Sequence, residues 1–169
     1  MSKENIVIVG SGGSGTETAR ALATKIDSSR YNLIIVSPRD YYIHYPAALR
    51  MIVTEEGNLE DNAVVPLDNL FPAGKGSLKV GTVASIQKSP TSGTGGSVTL
   101  VSGESIPFRF LVLAAGNKWQ GPLLFPEDKS QLRARILEWR KDFKDAKDIV
   151  LIGAGATGLG ELIHHSTSV

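Results

Sequence analysis

Three glycines near the start of the chain follow a short apolar run at the spacing used by dinucleotide-binding turns. The run is 5–9, and the glycines are Gly10, Gly12 and Gly15. In such a turn the first glycine permits a tight exit from a strand, the second lets the main chain approach a pyrophosphate, and the third lets a helix pack closely on the strand. The unpaired N–H groups at the start of that helix would face the phosphate charge. These residues therefore predict a dinucleotide site.

A second glycine signal stands near the other end of the sequence. Gly153, Gly155 and Gly158 follow the apolar run 149–152, but only eleven residues come after Gly158. That remainder is too short to build the rest of a mononucleotide-binding unit. We therefore expect an incomplete NAD(P)H-type site and a chain that is truncated at its C-terminus.

The residues after the second apolar run depart from the usual ribose-binding pattern. A carboxylate that binds the adenosine ribose is expected about twenty residues after the glycine turn, whereas this chain has Ser37 there. A hydroxyl can still hydrogen-bond a ribose but lacks the stronger charge-assisted contact, so we expect weakened cofactor binding. Arg39 either meets a phosphate or lies in solvent, and the sequence leaves both open.

Length and composition exclude several classes of protein. The 169 residues suit one ordinary domain, and 18 basic against 17 acidic residues leave no broad field for nucleic acid or an anionic membrane. Cysteine is absent, which excludes disulfides, thiolate zinc sites and redox-active cysteine pairs. We expect no membrane span and no secretory leader, and hence a cytoplasmic protein.

Hydrophobic periodicity predicts an α/β fold, a Rossmann-like parallel sheet with a small antiparallel β meander around the tip 89–96. We further expect residues 149–152 to join the sheet, since an exposed apolar strand is prone to aggregate. The arginine-rich face of the last helix is predicted to be solvated. The predicted strands are 5–9, 33–36, 63–65, 78–87, 97–101 and 106–114, and the predicted helices are 13–26, 46–50 and 130–143.

Three polar or aromatic residues are weak catalytic candidates. His44 lies among tyrosines and could take part in acid–base work, or could be an ordinary packed or surface histidine. Tyr45 could line a cleft for a planar small molecule or cover the edge of a core. Lys118 follows a predicted strand, where doubly wound folds bind ligands. We predict no metal site, because the adjacent His164 and His165 point in different directions.

The ordered set of motifs resembles the apoptosis-inducing-factor-like branch of the pyridine nucleotide-disulfide oxidoreductases. This branch is related to type II NADH dehydrogenases and ferroptosis-suppressor quinone reductases. The residues of the motifs in this chain are most similar to those of its fungal members. Specificity lies in the order of the segments rather than in any one of them. The segments that carry the resemblance are 9–15, 36–41, 45–50, 66–71, 110–116 and 149–158.

The resemblance implies FAD in a first Rossmann domain, NAD(P)H in a second one inserted into it, and hydride transfer through the flavin to a quinone-like acceptor. Residues 1–147 would form the FAD-binding domain, and 148–169 the truncated start of the NAD(P)-binding domain, packed onto the first. Arg50 would contact the cofactor, and Val83 would meet the adenine through its main chain. The FAD pyrophosphate would lie along Gly10, Ser11, Gly12, Gly13 and Ser14, and the flavin near Ala114, Ala115 and Gly116.

Departures from the family pattern leave three functional hypotheses open. Ala115 replaces a threonine, the late Gly-Asp segment that holds the flavin has no counterpart, and the stretch after Gly158 is shortened. The chain is then an FAD-binding oxidoreductase remnant that a partner completes, or a non-redox module. Such a module would be a cofactor-free isomerase or cyclase, or a binding protein for a small aromatic or polyketide-like molecule. The third hypothesis is a non-enzymatic product. We also expect a homodimer that covers a sheet edge.

Overall fold

The computed structural model describes residues 2–72, 74–89, 93–153 and 155. The strands are β1 (Glu4–Val9), β2 (Tyr31–Ser37), β3 (Tyr41–Ile43), β4 (Val64–Pro66), β5 (Ser77–Val80), β6 (Val83–Lys88), β7 (Gly96–Leu100), β8 (Ser105–Phe108) and β9 (Phe110–Leu113). The α-helices are α1 (Gly13–Lys25), α2 (Tyr45–Met51), α3 (Glu60–Ala63) and α4 (Leu132–Asp145), and two 3₁₀ turns occupy Gly121–Leu123 and Lys129–Gln131.

The chain divides into two compact units. The first comprises Met1–Tyr42 and Pro66–Asn117, and the second comprises Ile43–Val65 and Lys118–Val169. The chain therefore leaves the first unit within β3 and returns to it within β4. The predicted domain boundary between residues 147 and 148 stays a prediction.

A four-stranded parallel sheet forms the centre of the first unit, in the order β5-β2-β1-β9. Its central strands are apolar on both faces, as strands buried between two layers must be. One face packs against α1, through Ile6, Ile8, Ala19, Ala23, Leu33 and Ile35. The other face packs against the meander β6-β7-β8, through Val7, Val9, Val36, Val98, Leu100 and Ile106. The predicted fold class is confirmed.

Two of the predicted strands are each divided between two sheets. Residues 78–87 become β5, which pairs with β2, and β6, which pairs with β7; the main-chain N–H of Gly81 between them donates to the Ser37 carbonyl at 2.7 Å. Residues 106–114 become β8 and β9, and the Arg109 N–H donates to the Asn5 carbonyl at 2.8 Å. Local periodicity does not reveal such a change of partner strand, so the prediction of single strands was wrong.

An ion pair that the sequence did not predict joins α3 and α4 in the second unit. Arg140 on α4 donates to both carboxylate oxygens of Glu60, at 3.2 and 2.8 Å, and to the Met51 carbonyl at 2.9 Å. The Arg140 and Glu60 side chains are only 10% and 24% exposed. The prediction that the arginines of this helix are solvated is therefore wrong for Arg140, because its partners lie far away along the chain.

The apolar run 149–152 forms no strand in the part of the chain that the structure describes. Val150 is 82% exposed and Ile152 is 97% exposed. The prediction that this run joins the sheet is therefore wrong, and the packing of 148–169 onto the first domain stays a prediction. Of the second glycine turn only Gly153 and Gly155 are among the described residues, and His164 and His165 lie outside them. Within the described ranges, no helix has the length and apolarity needed to cross a membrane.

Candidate functional site

The first glycine turn lies where the parallel strands end at their carboxyl termini. The Gly10 N–H donates to the Val36 carbonyl at 2.8 Å, and the Ala114 N–H donates to the Val9 carbonyl at 2.8 Å. The turn therefore stands between the ends of β2 and β9. In open α/β sheets this is the edge at which ligands bind.

Two of the three signature glycines are required by the packing of the turn itself. Gly10 has φ +103°, and a Cβ there would collide with the Ala114 carbonyl. A Cβ on Gly15 would collide with the Gly10 carbonyl, where α1 approaches β1. These two positions would need glycine even in a protein without a ligand.

Gly12 and its neighbour Gly13 are different. Gly12 has φ −69°, which any residue adopts, and no atom lies within 4 Å of a Cβ built on it. A Cβ on Gly13 would meet only the Tyr42 hydroxyl, at 3.9 Å. Both residues are exposed. Within the described residues nothing in the fold requires glycine at these two positions, whereas a group bound against the main chain would.

The start of α1 is suited to an anion. Its N-cap is Gly12, which as a glycine has no side chain to accept the first N–H groups, and the first turn holds no acidic residue. The Thr16 hydroxyl donates back to the Gly12 and Gly13 carbonyls, each at 3.0 Å. Helix geometry leaves the first N–H groups without intrahelical partners, and these groups favour negative charge. Ser14 is exposed in the same first turn.

Ser37 ends β2 next to the turn, as predicted, but its side chain is buried. Its hydroxyl oxygen lies 2.6 Å from the Ser11 hydroxyl oxygen and accepts the Arg39 N–H at 3.1 Å. The Arg39 guanidinium lies 5.8 Å from the centre of the Tyr41 ring and is half-buried. The structure thus brings Ser11 and Ser37 together, while the ribose and phosphate roles of Ser37 and Arg39 stay predictions.

Gly81 joins this edge and was not among the predicted site residues. Its N–H donates to the Ser37 carbonyl, so the chain crosses the end of β2 before Val83 opens β6. The sequence signal was a glycine that interrupts an apolar run, which marks a bulge or a close main-chain approach. Val83 is half-buried on the strand that pairs with β7.

The segment after β9 also lies beside the turn. Ala114 packs its carbonyl against Gly10, and its Cβ would be 3.5 Å from a Cβ on Gly15. Ala115 and Gly116 follow and are exposed, with Gly116 at φ +66°. The first of these three predicted residues thus contacts the glycine turn, and the other two continue from the same strand end.

The remaining candidates, His44, Tyr45, Arg50 and Lys118, belong to the second unit. His44 and Lys118 are exposed, and the Tyr45 ring lies 6.0 Å from both the Trp119 and Phe125 rings. Arg50 pairs with Glu56 at 2.6 Å. The predicted roles of these four residues in catalysis or cofactor binding stay predictions.

A parallel sheet with a glycine turn at its carboxyl edge, leading into a helix with an open N-terminus, defines a dinucleotide-binding fold. Residues 4–163 match the pyridine nucleotide-disulphide oxidoreductase family, and the chain belongs to that family. The family resemblance seen in the sequence is confirmed.

Relatives with curated names agree with this assignment. The chain is 48% identical over 109 residues to the FAD-dependent oxidoreductase FVFD30 of Flammulina velutipes, a match that covers 64% of this chain and 33% of the relative. It is 30% identical over 158 residues to apoptosis-inducing factor homolog B of Dictyostelium discoideum, covering 91% of this chain and 36% of the relative. The chain thus spans about a third of the length of these two curated relatives.

Solved structures show the same fold. The sulfide:quinone oxidoreductase from Aquifex aeolicus matches with a TM-score of 0.62 at 22% identity, over 84% of this chain and 32% of that one. The NAD-dependent persulfide reductase from A. fulgidus matches with a TM-score of 0.66 at 15% identity, over 96% of this chain and 32% of that one. At these identities the likeness concerns the fold alone.

Proposed function

We propose that the chain binds FAD at the first glycine turn and forms the first part of an NAD(P)H-dependent oxidoreductase. The observation that carries the proposal is the open main chain at Gly12 and Gly13, where the fold itself has no need of glycine. The name of the relative from Flammulina velutipes supports FAD as the dinucleotide. Oxidoreductase activity is proposed from the family and from the names of relatives about three times as long as this chain.

Different residues around the turn would contact different parts of the cofactor. The main chain of Gly12 to Ser14 at the start of α1 would hold the pyrophosphate. Val83 would lie toward the adenine, and Ala114 to Gly116 toward the flavin. A bound flavin supplies the hydride chemistry, and the chain has no cysteine that could supply a redox thiol.

Two features of the sequence support a weakened FAD site. A carboxylate is missing where Ser37 stands, so the charge-assisted ribose contact is lost. Ala115 carries no hydroxyl beside the flavin position. We therefore propose that full turnover depends on protein outside these 169 residues, either further chain or a partner.

A flavin titration with a matched variant tests the proposal. Purified protein should show a flavin visible spectrum or acquire one with added FAD. Gly12→Ala should lower the melting temperature only by the small effect of a poorer N-cap residue, because its Cβ meets open space. It should nevertheless lose at least about tenfold in FAD affinity, because that Cβ occupies the pyrophosphate position. A colourless protein that FAD neither loads nor stabilises would instead favour the non-redox module or the non-enzymatic product.

We also propose a homodimer in which a second copy covers β9. This strand is at the edge of the parallel sheet, and its Phe110 and Leu113 are 50% and 65% exposed. An uncovered edge with apolar side chains is a site for pairing with another chain.

A cytoplasmic location is likewise proposed from the sequence. Imaging of a fluorescent fusion to the full gene product would test it, and a signal confined to a membrane-bound organelle would contradict it.

A further inference from the structure

A buried pair of hydroxyls joins the glycine turn to the end of β2. Ser11 and Ser37 are only 9% and 2% exposed, and their hydroxyl oxygens are 2.6 Å apart. The main chain around Ser37 accepts two further hydrogen bonds. The Gly10 N–H donates to the Val36 carbonyl at 2.8 Å, and the Gly81 N–H donates to the Ser37 carbonyl at 2.7 Å. Ser37 therefore connects the turn, β2 and the crossing after β5.

The hydrogen-bonding capacity of the Ser37 hydroxyl is largely used within the protein. A hydroxyl has one proton and two acceptor positions. The Arg39 N–H occupies one acceptor position, and the Ser11 hydroxyl occupies a further donor or acceptor position. The single position left belongs to a side chain that is 2% exposed. A ribose hydroxyl could reach that position only if the surrounding turn moved to expose the Ser37 side chain.

We propose that Ser37 is a positioning residue of the glycine turn and makes no direct contact with the ribose. It holds Ser11, which lies between the two glycines Gly10 and Gly12, and so fixes the main-chain N–H groups that would face the diphosphate. The ligand class that follows is any adenosine diphosphate, with little discrimination at the ribose hydroxyls. This inference rests on the proposed function, since it concerns the same turn.

A thermodynamic cycle between protein and ligand separates positioning from direct contact. ADP, 2′-deoxy-ADP and 3′-deoxy-ADP would be titrated calorimetrically into wild type, Ser37→Ala, Ser11→Ala and the double variant. The control is Ser105→Ala, an exposed serine of β8. Each single variant should weaken all three ligands by the same factor, about threefold to tenfold for one lost hydrogen bond. The double variant should be no weaker than either single one.

The outcomes are distinct. If wild type loses affinity on removal of a ribose hydroxyl and Ser37→Ala does not, Ser37 contacts the ribose and the positioning role is wrong, while the proposed function stands. If wild type binds none of the three ligands, the proposed function fails and this inference with it. Should Ser37→Ala fail to fold, Ser11→Ala removes the same bond, and unchanged ligand affinities there would also overturn the proposal.

Discussion

The glycines of the first turn fall into two groups, which differ in the atoms that an added Cβ would meet. Gly10 and Gly15 are required by carbonyl groups that stand where a Cβ would be, and this need exists in the empty protein. A Cβ on Gly12 would meet no atom within 4 Å and one on Gly13 would meet only the Tyr42 hydroxyl at 3.9 Å, so packing does not explain glycine there, whereas the proposed ligand would. A sequence motif treats these positions alike, although mutations at them should affect different properties.

Gly15→Ala should destabilise the fold more than Gly12→Ala, which changes only the N-cap residue of α1. The new methyl group at Gly15 meets the Gly10 carbonyl, which is main chain and cannot swing aside. Overpacking of this kind costs about 1–3 kcal/mol. Urea unfolding of both variants measures the difference in the free energy of unfolding. Equal stabilities would mean that α1 shifts freely away from β1, contrary to the packing described above.

At the scale of elements, the short helix α3 depends on the long helix α4. A helix of four residues, Glu60–Ala63, has little stability of its own. The bidentate pair between Glu60 and Arg140 joins the two helices, and the third hydrogen bond of Arg140 extends the connection to the end of α2. One arginine therefore organises three helices of the second unit.

Arg140→Met should lower the free energy of unfolding by about 1–3 kcal/mol, because it leaves a partly buried carboxylate and a main-chain carbonyl without their donor. Lys141→Met is the matched control. Its ion pair with Asp145 is exposed, so a change within about 0.5 kcal/mol is expected. Chemical unfolding curves of the two variants give the comparison. A similar small change for Arg140→Met would show that the pair contributes no more than a surface contact.

The same pair predicts a pH dependence of stability. Hydrogen bonding from Arg140 lowers the pKa of Glu60 in the folded protein, against a smaller opposing effect of burial. A carboxyl whose pKa is lower folded than unfolded stabilises the protein above its unfolded pKa, and loses that contribution as the pH falls through the folded value. Stability should therefore decline below about pH 4.5, and Glu60→Gln should reduce this decline. Parallel curves for wild type and Glu60→Gln in acid would contradict it.

At the scale of the whole molecule, the exposed edge of the sheet stands out. The chain spans about a third of the length of the relatives from Flammulina velutipes and Dictyostelium discoideum, and within the described residues β9 ends the parallel sheet with apolar side chains exposed. Such an edge either meets further protein or pairs with a second copy.

Leu113→Lys should shift the purified protein from dimer to monomer, because a charged side chain on an edge strand opposes pairing. Sedimentation velocity at several concentrations measures this shift. Lys79 on β5, at the opposite edge of the sheet, provides the control Lys79→Gln, which should leave the mass unchanged. A wild type that is monomeric at every concentration would refute the homodimer.

How far the sequence could be interpreted depended on the range of the interactions. The strands at 5–9 and 33–36, the helix at 13–26 and the short helix beginning near Pro46 all form close to their predicted bounds. Their signals are apolar periodicity, glycine turns and a proline in a first helical turn, all of which act over a few residues. The family assignment rested on the order of such local motifs.

Tertiary contacts decided what local signals could not. The runs 78–87 and 106–114 divide because each crosses from one sheet to another. Arg140 is buried because it pairs with Glu60, and the eighty positions between the two residues hide that contact from local signals. Ser11 and Ser37 are separated by 26 positions and yet share a buried hydrogen bond. The sequence alone thus determined the first strands and helices and the dinucleotide-type glycine turn, because those depend on neighbouring residues. Which side chains are buried together depended on how the sheets and helices close around them, and that was visible only in the folded chain.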